Sequence, residues 1–168
     1  MAKVFAIDKG LSQTFAAQFV VASGGAATIA RGVPTKSTES DATATGALVP
    51  MVDGDGSVTA MRFGGIAKST STDTASAAGV VDVWMPIPGL VYRGFAKSAT
   101  AADTQSEINV LMRKRVVFDL TSSDWTVDTA AADALVNCVV IVGGIPSTSE
   151  ILFCYAPKGT ILDTSTSM

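Results

Sequence analysis

The hexapeptide Gly64-Gly65-Ile66-Ala67-Lys68-Ser69 comes nearest to a chemical motif in this chain, because glycines ahead of Lys-Ser make up the kind of loop that cradles phosphate. That chemistry needs Gly directly before Lys and a helix after it, so that backbone N–H groups converge on the anion. Here Ala67 precedes Lys68 and a Ser/Thr tract follows, so nucleotide binding is set aside. A Ser-Lys dyad from Lys68 and Ser69 fails for another reason: neighbours on a strand point to opposite faces.

The remaining candidates are weaker. Asp53 and Asp55 could offer oxygens to calcium, but no third acidic residue is near them, and a calcium site takes six to eight oxygens. A glycine-rich hairpin turn, Asp53-Gly54-Asp55-Gly56, accounts for both. The chain has no histidine and two cysteines, Cys138 and Cys154, each in an apolar run. Such surroundings raise a thiol pKa rather than activating the sulfur. A hairpin turning at Pro146-Ser147 would place the two cysteines opposite each other, and in a reducing compartment they are expected as buried thiols. Trp84 and Trp125, with Tyr92 and Tyr155, could form a sugar platform. Pro86 and Pro88 instead mark Trp84 as standing at a strand end, where an aromatic serves as core lid or interface anchor. No catalytic residue, metal or cofactor is expected, and the chain reads as no enzyme.

The elements that would position such groups follow from composition. Only 16% of the 168 residues are charged, and Ala, Ser, Thr and Gly make up nearly half the chain. An ordinary monomer surface is roughly a quarter to a third Lys, Arg, Glu and Asp, so this exterior reads as one to be covered by other subunits. The formal net charge of −3 gives no attraction for phosphate backbones, and no direct nucleic-acid partner is expected. The longest apolar runs, 138–142 and 19–22, fall far short of the ~20 residues of a membrane span. Near the N-terminus Asp8, Gln13 and Gln18 break the apolar run that a signal peptide requires. Synthesis in a cytoplasm is expected.

From residue 43 onward, short β-branched or aromatic runs separated by turn residues predict an all-β barrel or sandwich. The expected strands are 47–52, 58–63, 80–87, 90–97, 107–120, 138–142 and 151–155, with 48–63 folded as a hairpin. Alternation of Ile108, Val110, Met112, Val116, Phe118 and Leu120 supports the long strand, which must bend or change sheets near Arg113-Lys114-Arg115. The alanine-rich stretch 129–136 predicts one short helix. Residues 1–45 read as an extended N-terminal arm and 46–168 as the β-rich domain. The arm's apolar residues must lie across their own barrel or cross to a neighbour, and crossing is favoured. Gly65-Ile66-Ala67-Lys68-Ser69 returns as Gly94-Phe95-Ala96-Lys97-Ser98, which predicts two strands leaving a barrel at equivalent corners.

Several idioms in order carry a resemblance: Gly46-Ala47-Leu48-Val49-Pro50, Asp53-Gly54-Asp55-Gly56, Phe63-Gly64-Gly65-Ile66-Ala67, Val83-Trp84-Met85-Pro86-Ile87-Pro88-Gly89, Val91-Tyr92-Arg93-Gly94, and Val127-Asp128-Thr129. Across 43–164 the chain resembles the decoration, or cement, proteins of tailed-bacteriophage capsids. The resemblance implies a noncatalytic virion protein on the capsid exterior, partnered by the major capsid protein. It also implies a homo-oligomer, dimer or trimer, that clamps neighbouring capsomers. The alternatives are a tail, fibre or head-tail connector protein, and a carbohydrate-binding β-module. On the first reading the expected contacts are Phe5, Phe15 and Phe19 as arm anchors and Trp84 and Tyr92 at the domain edge. Arg113, Lys114 and Arg115 would face an acidic shell surface.

Overall fold

A computed structural model describes residues 5–9, 16–21, 28–38, 47–52, 61–74, 78–87, 89–134, 137 and 139–155. The first strands are β1 (Ala6–Lys9), β2 (Ala16–Val20), β3 (Thr28–Ile29), β4 (Pro34–Thr38), β5 (Val49–Pro50), β6 (Met61–Ala67) and β7 (Ser71–Thr72). After them come β8 (Val80–Trp84), β9 (Val91–Ala96), helix α1 (Gln105–Leu111), β10 (Arg115–Thr121), β11 (Asp124–Asp128), β12 (Val139–Ile145) and β13 (Glu150–Tyr155). The protein is all-β with one short helix, as its runs of β-branched residues predict.

Five strands close into a barrel in the order β9-β11-β10-β12-β13, with β13 returning to β9. Most neighbours are antiparallel, but β11 meets β9 in parallel at Thr126–Phe95 and Val127–Ala96. Strand β1 pairs with the first half of β9, at Val91–Arg93. Alternation along β9 and β13 sends every second residue inward, and these residues meet in an aromatic core. Phe118 lies at its centre, with ring centroids 4.8 Å from Phe5, 5.9 Å from Phe63 and 5.7 Å from Phe153. Fully burying such a ring contributes about 1.5–3 kcal/mol.

The second sheet runs β2-β8-β6-β4-β5. A lone parallel bridge between Val21 and Leu48 brings its two outer strands together around a smaller core of Val21, Ile29, Leu48, Ala67, Val81 and Val83. A register shift between Phe63 and Gly65 breaks the alternation of β6 and divides the strand between the two cores, Phe63 and Ile66 packing on the barrel and Ala67 on the smaller cluster. Gly65 lets β6 pass its neighbour: its φ is +123°, and a Cβ there would collide with the Trp84 carbonyl. Only glycine takes that conformation without strain.

The expected arm is therefore part of the body. Strands β1 to β4 pair with β9, β8, β7 and β6 of the same chain, and Phe5 is in the barrel core. The described parts of the segment pair within their own chain, β1 on the barrel and β2 and β4 in the second sheet. The expected 48–63 hairpin does not form either, because β4 inserts between β5 and β6 and pairs with both. The tip at 53–56 lies outside the described residues.

The helix is not where the alanines predict it. Residues 129–134 are turn and irregular chain, with the Asp128 side chain accepting from Ala130 N–H at 3.0 Å. Alanines carry propensity but no apolar face to bury, and short helices depend on such a face. The face exists at α1, where Ile108 and Leu111 plug into the barrel core. Its start is a capping box in which Thr104 Oγ1 accepts from Glu107 N–H and the Glu107 carboxylate accepts from Thr104 N–H. The expected strand 107–120 is thus helix followed by strand, divided at Arg113, whose φ is +71°.

Candidate functional site

Tyr92 and Phe5, two expected contacts, are core residues. Phe5 is 1% exposed and Tyr92 is fully buried. The Tyr92 hydroxyl donates toward the Met85 carbonyl at 2.7 Å and the Trp84 carbonyl at 3.0 Å, tying the end of β8 to the barrel, and burial pushes its pKa well above the ordinary value. Neither side chain is available to a partner. Trp84 is half-buried against the barrel core, and Phe19 is half-buried against the smaller one. Phe15 lies outside the described residues. Trp125 is 4% exposed and faces the core, so a sugar platform built on both indoles does not form.

The three cations separate where the chain turns from α1 into β10. Lys114 Nζ donates to the Thr129 carbonyl at 2.7 Å, and the Arg115 backbone N–H donates to Asp133 Oδ1 at 3.1 Å. Arg113 is exposed and has no ion pair among the described residues. Its backbone is fixed nonetheless, since its N–H donates to the Ile141 carbonyl at 2.8 Å and Ile141 N–H donates to the Lys114 carbonyl at 3.0 Å. Those bonds bring the turn against β12. Around this corner three large apolar side chains face solvent: Val110 at 80% exposure, Met112 at 46% and Val142 at 38%. The sequence alternation had assigned Val110 and Met112 to a strand face; the Thr104-x-x-Glu107 spacing was the available signal for a helix.

A polar cluster that the sequence reading did not find sits on the seam where β11 meets β9. Lys97 Nζ is 2.6 Å from Asp119 Oδ1 and 3.4 Å from Asp128 Oδ2, and Asp119 Oδ2 accepts from Thr121 at 2.8 Å and Thr126 at 3.4 Å. Burial alone would raise the Asp119 pKa, but the hydrogen bonds from Lys97 and the two threonines, with the lysine charge, hold it below the usual carboxylate range. Lys97 is held above its ordinary value, chiefly by the bond to Asp119. A strongly ionised pair is a poor proton donor or nucleophile and a good clasp between strands. The repeated pentapeptide gives its position: both copies end a strand, β6 at Ala67 and β9 at Ala96, and the following lysine N–H still donates across to the Asp82 or Val127 carbonyl. The two copies stand in different sheets.

Cys154 is a free thiol whose pKa burial pushes up. The β12–β13 hairpin turns at Pro146–Thr148, close to expectation, but its register sets Val140, not Cys138, opposite Cys154. Cys138 itself lies outside the described residues. No group of three or more metal-ligating side chains occurs among the described residues, nor is any helix there long and apolar enough to cross a membrane. In comparisons with known proteins, no family model, curated protein or solved structure matches the chain.

Proposed function

We propose that this chain is a noncatalytic virion structural protein that binds the outside of a phage capsid and stabilises contacts between capsomers. One observation carries the reading toward assembly. The aromatic side chains are largely consumed by the core, while Val20, Val52, Val80, Val110, Met112 and Val142 stand exposed on a surface poor in charge. Covering such residues is favourable at about 25 cal/mol per Å² of apolar area, and a partner surface is what would cover them. The resemblance of the turn idioms, in their order, to those of capsid cement proteins is what directs the assembly reading to a phage shell. On this reading the corner bearing Val110, Met112, Arg113 and Val142 replaces Phe5 and Tyr92 as the contact to test, with Arg113 available to an acidic rim on the shell protein.

The deciding experiment is quantitative peptide mass spectrometry on gradient-purified particles from the source lysate. A copy number equal to that of the main shell protein, or a simple fraction of it, supports a lattice-wide cement. A handful of copies per particle moves the chain to the tail, fibre or connector, and absence from particles rejects the virion reading.

A further inference from the structure

Helix α1 presents one bare face. Ile108 and Leu111 are buried in the barrel, and at about 100° per residue Ser106 and Val110 stand on the opposite side. Both are exposed, and Val110, at 80%, is the most exposed large apolar side chain among the described residues.

The two ends of that face carry opposite charge. Asp103 is exposed and stands directly before the Thr104 cap, with Glu107 one turn on. A hydrogen bond with the Glu107 carboxylate holds the Asp103 carboxyl above the usual carboxylate range. Neither acid has an ion pair among the described residues, and the exposed Arg113 at the other end has none either. Its backbone is fixed by a type II turn: Lys114 N–H donates to the Leu111 carbonyl at 3.0 Å, with Met112 at φ −56°, ψ 133° and Arg113 at φ +71°. Glycine is the usual residue at that third position, so this cation stands where it strains the chain and meets no partner within it.

A face with opposite charges at its ends is complementary to its own reverse. A two-fold contact requires this, because residue i meets j while j meets i. The exposed positions Asp103, Ser106, Val110 and Arg113 are spaced three, four and three apart, and the spacing reads the same from either end. We propose that α1 is a self-association surface: two copies set α1 antiparallel about a two-fold axis, Val110 of each over the small Ser106 of the other and Arg113 of each on Asp103 of the other. A second copy, rather than the shell protein, then supplies the acidic rim that Arg113 meets, and the exposed Val20, Val52 and Val80 remain for the shell. Two such short helices cover well under the roughly 1,200 Å² of a standard interface, so the pairing should be concentration-dependent and weakened by salt. The inference does not rest on the capsid reading, since the pairing is measured on the free chain and particle copy number is measured separately.

The test is sedimentation velocity of the full chain over a concentration series, for wild type, Arg113→Asp, Asp103→Arg and an equimolar mixture of the two variants. Aspartate is among the residues that visit positive φ, so Arg113→Asp keeps the turn. Wild type should pass from monomer to dimer with concentration. Each variant alone sets like charges together at both ends of the pairing and should raise the dissociation constant roughly tenfold or more. Mixed, the two should associate again, because one then presents two carboxylates and the other two guanidinium groups. Asp103 and Arg113 also suit the dipole of their own helix, so melting is measured alongside: a purely local role would change the stability of each variant and leave association, and its recovery on mixing, unmoved. A wild-type chain that stays monomeric throughout, a dimer that both variants keep, or a mixture that associates no better than its components overturns the proposal.

Discussion

At the residue scale the barrel depends on an absence of atoms. Gly94 lies on β9 opposite Ile151, and a Cβ there would collide with the Phe5 ring. Its requirement is steric rather than conformational, because its φ is not in the left-handed region. Phe5 fills that space and touches the rings of Phe118 and Phe153, so one glycine determines whether the start of the chain belongs to the core. Gly94→Ala should destabilise by about 1–3 kcal/mol through overpacking, and Phe5→Ala by about 3–5 kcal/mol through the cavity it leaves. In the double variant the alanine methyl enters space the ring has vacated, so the combined loss should fall clearly below the sum. Urea midpoints of the four proteins measure the cycle, and strict additivity would show that Gly94 and Phe5 do not share this space.

At the element scale α1 shows how local signals compete. A helix of seven residues cannot persist on propensity alone; it is held by the Thr104–Glu107 box at one end and by Ile108 and Leu111 in the core. Thr104→Ala should cost about 1 kcal/mol and raise amide exchange through 105–111 before the barrel opens; unchanged exchange there would remove the cap from the account. Much of the barrel was legible in the sequence. The runs at β8, β9, β12 and β13 are β-branched or aromatic stretches bounded by turn residues, and the turn at Arg113 was expected as a break. What misled was period: Ile108, Val110 and Met112 alternate like a strand, yet Ile108 and Leu111 are the pair at helical spacing that is buried. Strand β4 was invisible for a different reason. It is Pro-Thr-Lys-Ser-Thr, a sequence without strand character, and it owes its conformation to β5 and β6 on either side. The site was less legible still, since partners for Lys97 come from strands that only the closed barrel brings together, and the burial of Phe5 and Tyr92 depends on rings contributed by distant parts of the chain.

At the scale of the whole molecule the barrel closes in part through a short parallel ladder of β9 with β11, and the Lys97–Asp119–Asp128 cluster bridges the ends of β9, β10 and β11 across that seam. Asp119 is buried but Lys97 is 46% exposed, so solvent screens the pair and its contribution is small. The pH dependence has a definite sign. Asp119 is held below its unfolded value of about 3.9, so its stabilisation is complete above that pH and is lost as pH falls through the folded value. Lys97 is held above its unfolded value of about 10.4, so its share is complete below that pH and disappears as pH rises through the folded value. Asp119→Asn should therefore lower stability at pH 7 by up to about 1 kcal/mol, and stability should fall less steeply on acidification than in wild type. High salt should shrink the difference between the two proteins, since at about 1 M the screening length drops to roughly 3 Å. Chemical denaturation at stepped pH reads both effects. Parallel curves for the two proteins from neutral pH to below pH 4 would mean that the seam is held by its backbone ladder and the surrounding core, with the ion pairs adding nothing measurable.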